Sequence, residues 1–244
     1  MTRTSTTTAL VCLPFAGGGA AFFRQWAATV PAGFTVLAVQ PPGREERFVE
    51  SPHTEVAAVV DEACGWVLPR LDGADRVVLF GHSLGALLAF ELARELSRRS
   101  PVPLARLVVS GAPGPWQPRA DGITGLNDDE FLARVEGLVG YVHEALRMEE
   151  MREVLLPVLR ADVQMRENYQ AEPDARLDVP VTALRGRDDD LVDAASCRQW
   201  SAATTAEFRL VEVDGGHMYL AERPDLLRDA LVELLDDRPV RGVE

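Results

Sequence analysis

The chain contains no lysine: its 25 basic residues are all arginine, set against 38 acidic ones, for a net charge of −13. That charge is spread along the chain rather than gathered in a tail, and it opposes binding to nucleic acid or an anionic membrane. Long apolar runs are missing too. No hydrophobic span of about 18 residues occurs, and MTRTSTTTALVCLPFAG at the N-terminus has too short an apolar run and too early a glycine cluster for a secretory signal. A soluble cytoplasmic protein is expected. Cysteine is scarce, and Cys12, Cys64 and Cys197 make neither a CxxC pair nor an even framework, so they read as reduced thiols. No His/Cys/Asp cluster has the short spacing of a zinc site, so neither a metal nor another cofactor is implied. No linker rich in Gly, Ser or Pro, no internal repeat and no heptad seam interrupts the 244 residues, of which 47% are hydrophobic. The expectation is one α/β domain over 1–244, acting as a monomer.

What is present is an alternating rhythm. Residues 8–15 (TALVCLPF), 34–40 (FTVLAVQ), 76–80 (RVVLF), 106–111 (RLVVSG), 179–185 (VPVTALR) and 208–213 (FRLVEV) read as about six buried strands. Helical spacing separates them: Val56, Val59, Val60, Ala63, Val67 and Leu68 in one segment, Leu84, Leu87, Leu88, Leu92 and Leu96 in the next. A closing helix over 223–235 has Pro224 near its first turn. This is the pattern of a mostly parallel, doubly wound sheet. The alternation breaks at about 125–170, where Asn127 and Glu130 look like a helix cap and several short amphipathic helices follow. Such an insertion between core strands is either a lid or a cover for one sheet face. Its apolar residues Leu126, Phe131, Leu132, Val135, Leu138 and Val139 suit an acyl pocket and packing on the sheet equally.

The most informative stretch is LFGHSLGALLAFELARE, residues 79–95. A strand that turns directly into a helix strains the corner residue and lifts its side chain clear. Gly81 and Gly85, two places either side of Ser83, leave room for strand and helix to approach. Ser83 is therefore the candidate nucleophile.

A serine hydroxyl needs a base, itself oriented by an acid. Of four histidines, His82 should point away from Ser83, His53 opens a surface loop and His143 sits in the inserted helices. His217, in DGGHMYL just past a core strand, lies at the sheet edge where ligands bind. For the acid, ALRGRDDDLV offers Asp188, Asp189 and Asp190. Asp189, three past Gly186, is favoured and Asp188 is second. The order Ser83, Asp189, His217 is that of an α/β-hydrolase. An oxyanion needs two amide donors: the NH of Leu84, at the start of the helix, and one from LPFAGGG, with Phe15 or Ala16 as candidates. No GxGxxG or GK[ST] accompanies that glycine cluster, which argues against a phosphate cradle.

With LPFAGGG, PPGREER, GHSLGA, SGAPGP, LPVLRADVQMRENY, GRDDDLV and GGHMYL in that order, nearly the whole chain resembles the type II thioesterases that accompany polyketide synthases and nonribosomal peptide synthetases. Met218 after the histidine, and Asp190 where many relatives have proline, depart from the pattern without removing a reactive atom. GAPGPWQPRA, after the RLVVSG strand, lacks the carboxylate that fused type I enzymes tend to carry there. The resemblance implies an α/β-hydrolase fold with a helical lid and no cofactor. Its implied substrate is an acyl group on the phosphopantetheine arm of an acyl or peptidyl carrier protein, removed to edit or release aberrant units. Medium-chain acyl thioesterases share the pattern, and a carboxylesterase would use the same three residues. A noncatalytic binding protein on this scaffold would be expected to lose one of them. Arg44, Arg47, Arg98 and Arg99 are candidates for a basic patch that receives an acidic carrier protein.

Overall fold

A computed structural model of the chain describes residues 6–28, 30–117, 122–139 and 144–235. Six strands, β1 (Thr8–Leu13), β2 (Phe34–Ala38), β3 (Arg76–His82), β4 (Leu104–Ser110), β5 (Val181–Gly186) and β6 (Phe208–Val213), form one sheet. Their order is β2-β1-β3-β4-β5-β6, and every pair is parallel. The chain leaves β1 toward β2 on one side and reaches β3 on the other. Loops after β1 and β3 therefore diverge and open a crevice at their C-terminal ends, the position where open α/β sheets bind ligands.

Strand alternation distributes the core over two faces. Ala9, Val11 and Leu13 of β1, with Val77 and Leu79 of β3, pack under helices α2 (Val56–Val67), α3 (Leu84–Arg99) and α6 (Ala194–Arg198). Leu10 and Cys12, with Val78 and Phe80, face the opposite layer of α1 (Ala21–Arg24), α7 (Tyr219–Glu222) and α8 (Pro224–Leu235). All residues of β1 are buried because both faces are covered, which is why the strand reads as a continuous apolar run. Phe22, Phe23 and Trp26 stack edge to face at 4.8–6.0 Å between ring centres and close one end of the second layer.

Between β4 and β5 stand α4 (Asp128–Val139) and α5 (Glu149–Asn168). The expected cap is present: Asn127 Oδ1 accepts from the Glu130 amide at 3.0 Å. The expected series of short helices is not, since α5 runs through 20 residues with Pro157 inside. An interior proline costs about 3 kcal/mol. Here it is exposed, while Leu156, Val158 and Leu159 are buried beside it. Arg160 adds bonds to Asp128 and to the carbonyls of Thr124 and Leu126. That packing offsets the break. Leu126, Phe131, Leu132, Val135 and Leu138 join Ile123, Leu156 and Leu159 in a cluster of their own. They pack on α5, not on the sheet. The side chain of Val139 and all of His143 lie outside the described residues.

Candidate active site

The corner between β3 and α3 is as tight as the glycine spacing requires. A Cβ on Gly81 would stand 1.9 Å from the Gly85 carbonyl oxygen, and one on Gly85 would stand 2.4 Å from that of Leu13. Ser83 between them has φ +53° and ψ −117°, a conformation that L-residues adopt only under strain. Its amide donates to the Ser110 carbonyl at 2.8 Å, which fastens the corner to β4. The first turn of α3 begins at Leu84, directing its amide and the helix dipole toward the crevice.

His217 and Asp189 arrive from two adjacent loops, after β6 and β5. The Asp188 amide donates to the Gly215 carbonyl at 3.0 Å and holds those loops together. His217 Nδ1 donates to Asp189 Oδ2 at 2.9 Å, and its Nε2 lies 3.4 Å from Ser83 Oγ. That last bond is long, and such bonds commonly shorten as substrate docks. Asp189 Oδ1 accepts from the amides of Leu191 and Val192, both at 2.9 Å, so its two oxygens have fixed and separate partners. Asp189 is 3% exposed and His217 5%, while Asp188 and Asp190 are exposed. Burial and amide bonds single out the middle aspartate.

Several supporting residues escaped the sequence analysis. Arg185 donates to the carbonyls of Asp189 and Val192 and pairs with Glu212 at 2.7 Å, bracing the acid's loop. An arginine in a strand whose other members are buried and uncharged was the available signal. His82 does turn from Ser83, but into a fully buried position behind His217, where Nδ1 bonds Ser110 Oγ at 2.9 Å and Ser110 Oγ bonds Tyr219 OH at 2.7 Å. Burial, then the nearby His217, holds the His82 imidazole well below its usual range.

The loop after β1 is a turn closed by the Gly18 amide on the Phe15 carbonyl at 2.9 Å. The Gly17 amide is committed to Asp162 Oδ2 at 2.8 Å. Those two amides are thus occupied by protein, leaving the candidates Phe15 and Ala16 at the head of the turn. Ala16 touches both the sheet core and the cluster under α5, so the inserted helices lie directly on this loop.

Arg44 corrects one expectation. It is 6% exposed and ion-paired with Asp162 at 2.6 Å, and so presents no surface to a partner. Arg47 is held by Glu50 and Glu62, Arg98 by Glu95, and Arg99 lies 3.4 Å from Asp61. Burial raises the Cys12 and Cys64 thiols and pushes Cys197 up to about 12, so none supplies a thiolate near neutral pH. Among the described residues no group of three His, Cys, Asp or Glu side chains could hold a metal ion. No helix there is long and apolar enough to cross a membrane. A cavity of about 440 Å³ lined by Arg94, Arg98 and Arg176 sits at the far end of α3 from Ser83 and has no part in the site.

A serine on a strained strand-to-helix corner, facing an imidazole backed by a carboxylate from the next loop, defines a hydrolase of the serine type on the α/β-hydrolase fold. Comparison with known proteins narrows the class. The chain belongs to the thioesterase family, whose domain model matches residues 8–238. It is 36% identical over 214 residues to the gramicidin S biosynthesis protein GrsT of Aneurinibacillus migulanus, covering 87% of this chain and 83% of that one. It is 35% identical over 226 residues to a probable cadicidin biosynthesis thioesterase of Streptomyces griseus, covering 93% of this chain but only 62% of that protein. Among solved structures, the type II thioesterase BorB from the borrelidin biosynthetic cluster superposes with a TM-score of 0.83 at 37% identity, over 94% of this chain and 93% of that one.

Proposed function

We propose that this chain acts as a type II thioesterase that hydrolyses acyl groups from the phosphopantetheine thiol of acyl or peptidyl carrier proteins, clearing aberrant units from a polyketide or nonribosomal peptide assembly line. The observation that carries it is the continuous relay from Ser83 Oγ through His217 to Asp189, in a chain whose relatives serve such pathways.

The chemistry follows from the geometry. His217 Nε2 takes the Ser83 proton as Oγ bonds to the thioester carbonyl carbon, and Asp189 stabilises the imidazolium that forms. Negative charge on the carbonyl oxygen rests on the Leu84 amide and on that of Phe15 or Ala16. The C–S bond then breaks, and the departing sulfur takes the proton from His217. A thiolate leaves readily, since its conjugate acid has a pKa of about 8.5. Water next gives its proton to His217 and attacks the acyl-serine. The ester C–O bond breaks, Ser83 regains the proton, and the free acid departs.

In this reading the 244 residues act as one catalytic domain, a cytoplasmic monomer that needs no cofactor and binds neither nucleic acid nor membrane, with α4 and α5 as its lid. The test is to compare hydrolysis of an acyl carrier protein thioester with that of an oxygen ester of the same acyl group. Preference for the carrier thioester is expected. Faster cleavage of the oxygen ester would make the protein a carboxylesterase, equal rates on acyl groups with and without a carrier would remove carrier recognition, and failure of a fluorophosphonate to label Ser83 would end the hydrolase assignment.

A further inference from the structure

The buried pair between Arg44 and Asp162 plays no part in the reaction just described. Asp162 lies on α5, within the inserted helices, and Arg44 follows β2. Arg44 Nη1 and Nη2 meet Asp162 Oδ2 and Oδ1 at 2.6 and 2.9 Å, a bidentate fork at 6% and 2% exposure. Desolvating two charges usually cancels most of what such a pair contributes, and apolar packing would join the two segments as well. Leu159 already lies where a Cβ on Gly17 would touch it, at 3.4 Å.

The pair's remaining bonds indicate its use. Asp162 Oδ2 also accepts from the Gly17 amide at 2.8 Å, and Arg44 Nη1 also donates to the Gly18 carbonyl at 3.1 Å. One ion pair thus grips consecutive residues of the turn after β1, one by its amide and one by its carbonyl. That turn passes through Gly17, Gly18 and Gly19, which have no side chains to pack and wide backbone freedom. Its shape has to be imposed by bonds to its backbone. Glu45, next to Arg44, accepts from the Ala21 amide at 3.0 Å just past the glycines.

We propose that Asp162, held by Arg44, is a positioning residue that fixes the Gly17 amide and thereby aims the Phe15 and Ala16 amides at the oxyanion. This rests on the assignment of that loop as one half of the oxyanion hole. Because the carboxylate stands on α5, the seating of the inserted helices and the shape of the hole are linked. An error of about 1 Å in such a group costs about 100-fold in rate.

The test uses the full chain, a short acyl-pantetheine substrate and a trifluoromethyl ketone isostere of it, whose hemiketal on Ser83 places an oxyanion in the hole. Asp162→Ala is expected to lower kcat about 100-fold with KM within about twofold, and to weaken the inhibitor by the same factor as kcat. Asp162→Asn keeps an oxygen for the Gly17 amide and recovers part of both losses in step. If the alanine variant does not fold, the asparagine variant decides, with kcat and inhibitor affinity again falling together. Wild-type values, a change in KM alone, or a fall in kcat with the inhibitor unaffected overturns the proposal. A wild-type enzyme that the ketone fails to inhibit instead removes the oxyanion-loop assignment, and the proposal with it.

Discussion

The ring of His82 lies 5.0 Å from that of His217, inclined at 49°, with His82 wholly buried. A positive charge at His82 would oppose the imidazolium that His217 must become while it holds the serine proton. His82 avoids this by staying neutral: its Nδ1 is bonded to Ser110, its Nε2 has no hydrogen-bond partner among the described residues, and burial disfavours protonation.

That neutrality makes stability depend on pH. The folded His82 is held below 6.5, first by burial and then by His217, whereas in the unfolded chain it titrates at about 6.5. Above that value both states are neutral and the group is silent. As pH falls through it, the unfolded chain takes up a proton that the folded protein refuses, so stability is lost toward acid. His82→Gln should flatten this limb. Thermal melts between about pH 7.5 and about pH 5 would show wild type losing more stability than the variant, and parallel curves would refute the argument.

Ser83→Ala should abolish acyl release, by about 1,000-fold or more, while the melting temperature stays within a few degrees of wild type. Single-turnover assays with an acylated carrier protein would measure it, and normal turnover would exclude Ser83 as the nucleophile.

The three consecutive aspartates offer an internal control. Asp189→Asn preserves shape but removes the charge that orients and stabilises His217, and a loss of about 10³–10⁴-fold in kcat is expected. Asp188→Asn, at an exposed position whose amide rather than carboxylate joins the loops, should fall within about threefold of wild type. Comparable kcat in the two variants would contradict the assignment.

Gly81→Ala and Gly85→Ala place a methyl group against backbone that cannot move without parting β1, β3 and α3. Each should cost about 2–4 kcal/mol of stability in denaturant titrations. A loss under about 1 kcal/mol would mean that the corner is looser than its contacts indicate.

The strands and the elbow were legible because their signals are local. A buried parallel strand is a continuous apolar run, and a strand that turns straight into a helix demands small residues at fixed offsets, as at Gly81 and Gly85. Asp189 and His217 were legible as loop residues just beyond core strands. The length of α5 was not, because 142–163 and 165–169 read as separate short helices, and only the packing of Leu156, Val158, Leu159 and Met165 shows where one continuous helix begins and ends. Asp162 did leave a trace. A carboxylate three places after Leu159 and three before Met165 falls on the buried face of a helix, where it requires a partner, but the local sequence offers Arg166 four places on and gives no sign of Arg44.

By itself, then, the order of residues determined the repeating strand-and-helix units, the strained corner and the kinds of side chain available for acyl transfer, since each depends on sterics and hydrogen bonding over a few neighbours. Only the tertiary structure decided which distant groups complete them. Arg44 meets Asp162 across 118 positions, and Asp162 meets Gly17 across 145. His82 and Tyr219 share Ser110 because β3 and β4 are sheet neighbours and the segment after β6 folds over them. Those meetings follow from strand order and from how the inserted helices seat on the loop after β1, relationships that no window of sequence contains.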